Sequence, residues 1–179
     1  FRSHKLMKEV VRKTNASVNY KQPNRVRYLE LYGQSPVQIK FAPGFDEGWM
    51  SFYLTLIDEG NVLISNINGG EDSFVAALND TLYVGSTGFT VVPTANMNDS
   101  WIDKPLLIEK KSVSAMASHF IANLGIRQES EEASILKLSL QDESAQRAAA
   151  VLNTLITTYN EEVIIEKNQI AVNTAEFIN

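Results

Sequence analysis

Leu6, Met7, Val10 and Val11 recur at helical spacing in residues 5–14, which predicts an amphipathic helix ending near Asn15, ahead of a break at Pro23-Asn24. From Arg25 onward the period falls to two. Val26, Tyr28, Leu29, Leu31 and Tyr32 lead to a turn at Gly33–Pro36, and Val37, Ile39 and Phe41 alternate with Gln38 and Lys40. Met50, Phe52, Leu54 and Leu56 alternate with Ser51, Tyr53 and Thr55. A turn at Asp58-Glu59-Gly60-Asn61 returns the chain through Val62-Leu63-Ile64, which predicts a β-hairpin closed off by Gly69-Gly70. Thr81–Val84 and Phe89–Val92 flank Gly85–Gly88 as a second pair. About six short antiparallel strands are expected in this β-rich section, at about 25–95.

Past Pro105 the order becomes strand, helix, strand, long helix, to the end of the chain at residue 179. Leu106-Leu107-Ile108 reads as a strand. Val113, Met116, Ala117, Phe120, Ile121 and Leu124 share a helical face, with Gly125 expected as the C′ residue that stops the helix. Ile135–Leu140 reads as a strand with Leu136, Leu138 and Leu140 on one face. Asp142 is the expected N-cap of the last helix, and Glu143 is expected in its first turn. That helix has neither Gly nor Pro from Glu143 on and would span roughly 55 Å at 1.5 Å per residue. A globule of this size has a radius of gyration of about 16 Å. Ala148, Leu152, Leu155, Tyr159 and Val163 form its first apolar stripe. Beyond Val163 the stripe dissolves, with Asn168, Gln169, Asn173 and Asn179 among Ile170, Val172, Phe177 and Ile178. The far end is expected to leave the body, where its apolar residues need a second chain or a membrane-proximal setting. The fold class expected is α+β, an antiparallel or mixed sheet packed with helices, in one domain spanning 1–179 with a long C-terminal helix extending from it.

Composition narrows the chemistry. Hydrophobic residues make up 44% and charged residues 21%, enough to bury a core. Without cysteine there is no disulfide, thiol nucleophile or thiolate metal site, and two histidines, His4 and His119, argue against a multi-histidine metal centre. The longest apolar runs are about five residues, against roughly 20 for a membrane span, and no signal-peptide pattern opens the chain, so these residues are expected to be soluble by themselves. The net charge of −5 is unevenly placed. Residues 1–27 hold eight Lys/Arg and one acid, a charge of +7, and the remainder holds eight Lys/Arg and 20 acids, a charge of −12. The basic end is therefore read either as a solvated helix face or as a surface with an electrostatic partner: the acidic body of the same chain, that of a neighbouring copy, or an anionic ligand. Nucleic acid fits poorly, because the acidic body repels phosphate and no nucleic-acid-binding signature is present.

Catalytic patterns are sparse. Gly85-Ser-Thr-Gly88 lacks the Lys and the spacing of a phosphate-binding loop. The acidic pairs Asp46/Glu47, Asp58/Glu59 and Glu161/Glu162 are candidate glycosidase carboxylates, but sequence neighbours point apart on helices and strands alike. His119 has no orienting partner that the sequence reveals. Trp49 and Trp101 are candidate glycan contacts, Trp101 standing in the polar loop Asn98-Asp99-Ser100-Trp101. Asn15, Asn79 and Asn98 each open an Asn-x-Ser/Thr triplet, a pattern that chance supplies readily.

The last 45 residues carry a more specific pattern. Ser134-Ile-Leu-Lys-Leu-Ser-Leu-Gln-Asp142 leads to Leu152-Asn153 and Tyr159, and then to Lys167-Asn168-Gln-Ile-Ala-Val-Asn173-Thr174-Ala-Glu-Phe177-Ile178. This resembles the polysaccharide co-polymerase or chain-length determinant (Wzz-type) family, and looks most like members fused to a cytoplasmic tyrosine autokinase in Bacteroidetes. The Leu6–Val11 helix, the segment Glu30-Leu-Tyr-Gly-x-Ser-Pro36 and the strand after Gly88 look similar to the same group; Glu143-Ser144 departs from it, where the family often has Pro.

The resemblance implies a periplasmic domain of an inner-membrane protein, joined to two transmembrane helices outside this sequence. It implies ring-shaped homo-oligomers that govern the length and export of capsular polysaccharide or O-antigen. It also implies no catalysis within these residues, no cofactor or metal, and partners among the polymerase and export machinery. The matching positions Asn153, Tyr159, Val163, Lys167, Asn168, Ile170, Asn173, Thr174 and Phe177 become candidates for helix packing and assembly. The alternative kept open is a carbohydrate-binding module contacting an acidic glycan through Trp101, Trp49 and the basic segment; a hydrolase is a distant third.

Overall fold

The computed structural model describes residues 3–129 and 135–178. Ser134 and Asn179, both read above, lie outside the described residues. The fold is α+β with antiparallel sheets and a long C-terminal helix. It divides into two compact units, one of residues 16–115 and one of residues 1–15 with 116–179.

The unit of residues 16–115 is the β-rich one. Strands β1 (Val18–Pro23), β2 (Tyr28–Glu30), β4 (Met50–Leu56), β5 (Asn61–Ser65), β6 (Ser73–Ala77) and β9 (Pro105–Lys110) form a six-stranded sheet in the order β2-β1-β9-β4-β5-β6. Strands β3 (Val37–Phe41), β7 (Thr81–Val84) and β8 (Thr87–Pro93) form a second sheet in the order β3-β8-β7. The alternation read in β4 is the burial pattern observed: Met50, Phe52, Leu54 and Leu56 are buried and the residues between them are half-buried. They join Val18, Tyr20, Val62, Ile64, Leu106 and Ile108 from the large sheet and Ile39, Phe89 and Val91 from the small one in a single core. Phe52 stacks on Phe89 with ring centroids 5.2 Å apart, and the Ile39 N–H donates to the Tyr20 hydroxyl at 2.9 Å, so the sheets are joined by packing and by a buried polar tie. Between residues 25 and 93 there are seven strands, one more than expected, β6 being the addition. Strand β1, before that section, is also new.

In the other unit, α1 (His4–Lys13) buries the four residues that its spacing singled out, Leu6, Met7, Val10 and Val11. Ser3 caps it by accepting the Leu6 N–H, and Asn15 follows it in the left-handed region (φ 52°), the stop the sequence indicated. Helix α2 (Val113–Asn123) starts at the end of the β-rich unit and runs directly into β10 (Leu124–Gln128), which pairs with β11 (Leu136–Leu140) as a two-stranded ribbon. Gly125 is therefore not a helix-stopping C′ residue. It pairs with Ser139 inside the ribbon, where a Cβ would lie 2.5 Å from the Ser139 Oγ, so close strand approach is what its missing side chain serves. On β11, Leu138 and Leu140 are half-buried while Leu136 is exposed.

Helix α3 (Ala145–Ile178) has 34 residues, about 51 Å at 1.5 Å per residue. Its N-cap is Ser144 and not Asp142: the Ser144 Oγ accepts the Arg147 N–H at 3.2 Å. Asp142 stands two residues earlier and Glu143 falls before the first turn, which holds no acid. The buried residues are Arg147, Ala148, Val151, Leu155 and Thr158, with α1 packed along this half. Every described residue from Ile164 to Ile178 is exposed.

Candidate functional site

Tyr159, Val163, Lys167, Ile170, Thr174 and Phe177 fall within an arc of about 80° on α3 at 3.6 residues per turn. The spacing of seven between Val163, Ile170 and Phe177 stacks them two turns apart on one line. Tyr159 and Val163 are half-buried, and Ile170 (64%) and Phe177 (93%) are exposed. Asn173 lies at the edge of this stripe, and Asn153 and Asn168 lie off it, all three exposed. The Thr174 hydroxyl donates to the Ile170 carbonyl one turn back, so it is turned onto its own helix. Ile164, Ile165, Val172 and Ile178 add exposed apolar side chains around the remaining circumference. Full burial of each such side chain is worth about 1.5–3 kcal/mol.

The proximal end of α3 is anchored by charge. Asp142 and Arg147 form a bidentate pair, Nε to Oδ2 at 2.7 Å and Nη2 to Oδ1 at 2.9 Å. The Asp142 side chain is 0% exposed and that of Arg147 3%. The same carboxylate accepts the Ser144 N–H at 3.2 Å. His119 Nε2 stands 3.9 Å from Asp142 Oδ1, but that oxygen is held by Arg147 and the imidazole is half exposed, edge-on to Phe120. This Arg–Asp knot is not legible from the sequence pattern, because Arg147 occupies a position that the apolar stripe skips.

The carboxylate pairs take structural places. Glu47 accepts the Ser114 N–H (3.2 Å) and hydroxyl (2.8 Å), and the Asp46 carbonyl accepts the Val113 N–H at 2.9 Å, so the loop before β4 caps the start of α2. Ser112 completes that cap by accepting the Ala115 N–H. Lys110, 4% exposed, sits behind the loop and donates from Nζ to the carbonyls of Asp46 (3.0 Å) and Lys111 (2.6 Å). Burial holds its ammonium below the usual lysine range against the opposing charges of Asp46 and Glu47. Asp58 accepts from the Asn61 side chain and from the Gly60 and Asn61 N–H groups, which hold its carboxyl below its ordinary range, chiefly through Asn61. Glu161 shares Lys13 with Glu9, each at 3.0 Å, and those bonds, Glu161 first, raise the lysine above its ordinary range.

The two tryptophans stand apart in sequence and setting. Trp49 is 58% exposed just before β4, while Trp101 packs half-buried against the core with the Lys104 ammonium 5.9 Å from its ring centroid. A surface pocket of about 270 Å³ with Asp58, Glu59 and Asp99 at its rim has Leu56, Met97 and Ile102 as its apolar wall, and neither tryptophan lines it. Among the described residues no group of His, Cys, Asp and Glu is arranged to hold a metal ion, and no helix is long and apolar enough to cross a membrane.

No family model matches the chain, and no curated protein matches it. Among solved structures, the crystal structure of FlgL from Xanthomonas campestris aligns with 89% of this chain and 54% of that one, about half its length, at 9% identity and a TM-score of 0.28. A likeness that faint bears on neither the fold nor the function, and the chain's own residues carry both.

Proposed function

We propose that this chain is the periplasmic domain of an inner-membrane polysaccharide co-polymerase of the chain-length determinant family. In this role it is a non-catalytic scaffold whose copies assemble into a ring and set the length and export of a capsular polysaccharide or O-antigen. The full-length protein would be held in the membrane by helices flanking these residues, with the polymerase and export machinery as its partners, and any kinase domain would lie outside this sequence.

The observation that carries this reading is the distal half of α3. Its final 15 described residues are exposed and include Ile164, Ile165, Ile170, Val172, Phe177 and Ile178. A soluble monomer gains nothing from keeping these side chains in water, whereas an assembly of copies covers them. The sequence pattern from Lys167 to Ile178, part of the stretch that carries the resemblance, falls within this same segment.

The test is genetic. Cells of the source organism that carry Ile170→Ser with Phe177→Ser in the full-length protein are expected to make surface polysaccharide of altered length distribution, read on a gel, with the protein level unchanged. If the domain is deleted and both length and amount stay at wild type, the proposal fails.

A further inference from the structure

The turn joining β1 to β2 carries the most exposed apolar residue of the β-rich unit. Pro23 to Leu29 are all exposed, and Val26 is 93% exposed between Arg25 and Arg27. The turn is well formed: the Asn24 N–H donates to the Arg27 carbonyl at 3.0 Å, and the Asn24 side chain accepts the Arg25 N–H at 2.7 Å. Among the described residues neither arginine has an ion-pair partner. This is a hairpin finger with an apolar tip and a cation on either side, and such a tip gains from being seated.

The same chain carries a surface of the opposite kind. A groove of about 440 Å³ runs between α1 and α3, with Ile165 on its wall, Glu9, Glu161, Glu162 and Glu166 around it, and Lys5 as its one lining cation, so four carboxylates outnumber it. Lys13 answers Glu9 and Glu161. Among the described residues Glu162 and Glu166 have no ion-pair partner. Ile165, 62% exposed, stands on α3 beside them, one turn on from Glu162 and next to Glu166. One surface thus presents an apolar residue flanked by two cations, and the other presents an apolar residue beside two anions.

We propose that the Arg25-Val26-Arg27 finger of one copy docks in the α1–α3 groove of a second copy, with Val26 on Ile165 and the arginines on Glu162 and Glu166. This rests on the reading of the chain as a self-assembling scaffold and names one contact of that assembly, next to the distal stretch of α3. The two surfaces differ, so the contact is heterologous: each copy uses its finger on one neighbour and its groove on the other, the kind of contact that builds a ring where the rotation closes and a filament where it does not. The charged pairs set register and partner choice, and being exposed they weaken with salt. An anionic lipid surface would accept the finger but leaves the groove without a role.

The chain lacks cysteine, so single thiols are unambiguous. Full chains carrying Val26→Cys alone are mixed with full chains carrying Ile165→Cys alone and oxidised with copper–phenanthroline. Both positions are exposed, so neither change disturbs packing. The expected result is a disulfide heterodimer several-fold above its share from random collision. It should fall to that share with Arg25→Glu and Arg27→Glu, and return when the groove chain also carries Glu162→Lys and Glu166→Lys. A heterodimer at the random share in a protein that sedimentation shows to be assembled overturns this contact and leaves the scaffold reading standing. A protein that sediments as a monomer and forms no heterodimer overturns both. Retention on phosphatidylglycerol vesicles that depends on Arg25 and Arg27, without the heterodimer, assigns the finger to lipid and also overturns the proposal.

Discussion

Removing the Asp142 carboxylate is expected to destabilise the unit built on α3 by about 3–5 kcal/mol, the range found when one member of a buried ion pair is taken away. Three bonds depend on that group, two from the Arg147 guanidinium at 2.7 and 2.9 Å and one from the Ser144 N–H at 3.2 Å. Asp142→Ala leaves a guanidinium that is 3% exposed without its carboxylate, and it also loosens the capping turn. Arg147→Met should cost less, because the carboxylate keeps the Ser144 N–H. The double variant Asp142→Leu with Arg147→Met removes both charges and fills the space with hydrocarbon, so its cost should be far below the sum of the single ones. Urea unfolding followed by the far-ultraviolet helix signal supplies the four free energies of the cycle. A coupling energy of about 3 kcal/mol is expected. A coupling below about 1 kcal/mol, the range of exposed pairs, would refute the idea that this knot anchors α3.

Lys110 makes stability depend on alkaline pH. Its folded pKa is depressed below the ordinary 10.5, so between the two values the unfolded chain holds more protons and stability climbs as pH rises toward 10.5. Urea midpoints measured from pH 8 upward should therefore rise more for the wild type than for Lys110→Met; parallel curves would remove the lysine from the account. Glu47→Ala should cost about 1 kcal/mol by uncapping the start of α2, and combining it with Ser112→Ala should cost more than either alone, since the two side chains serve different N–H groups. Thermal melts of the three variants would show this, and a Glu47→Ala melt equal to wild type would contradict it.

How much of this was legible in the sequence depends on whether the information was local. Helix α1 was, because Leu6, Met7, Val10 and Val11 define one face and Asn15 is a residue that tolerates the left-handed turn. The β4–β5 hairpin was legible too, since Asp58–Asn61 is a turn held by its own side chains. Strand β1 was hidden because Lys21, Gln22 and Pro23 break the apolar alternation, and β6 because its residues Ser73, Ala76 and Ala77 have low strand preference. Sheet order was out of reach: β9, near residue 105, inserts between β1 and β4, a pairing decided by long-range packing. Gly125 and Asp142 were placed by rules for helix ends, and side-chain partners decided their roles instead: Ser139 across the ribbon for Gly125, and Arg147 one turn into α3 for Asp142. The exposed distal stretch of α3 followed from length and from the failing stripe. The finger and groove did not, beyond the basic excess of the first 27 residues, because neither surface exists until the chain folds.

The most direct test of the account is the particle mass of the full-length protein in lipid nanodiscs, compared with a variant carrying Ile164→Ser, Ile170→Ser and Phe177→Ser. The account predicts a discrete multiple of the single-chain mass for the wild type and a smaller particle for the variant, with helix content unchanged. A wild-type particle of one chain, or a variant of the same mass as the wild type, would contradict the claim that this helix exists to be covered by another copy.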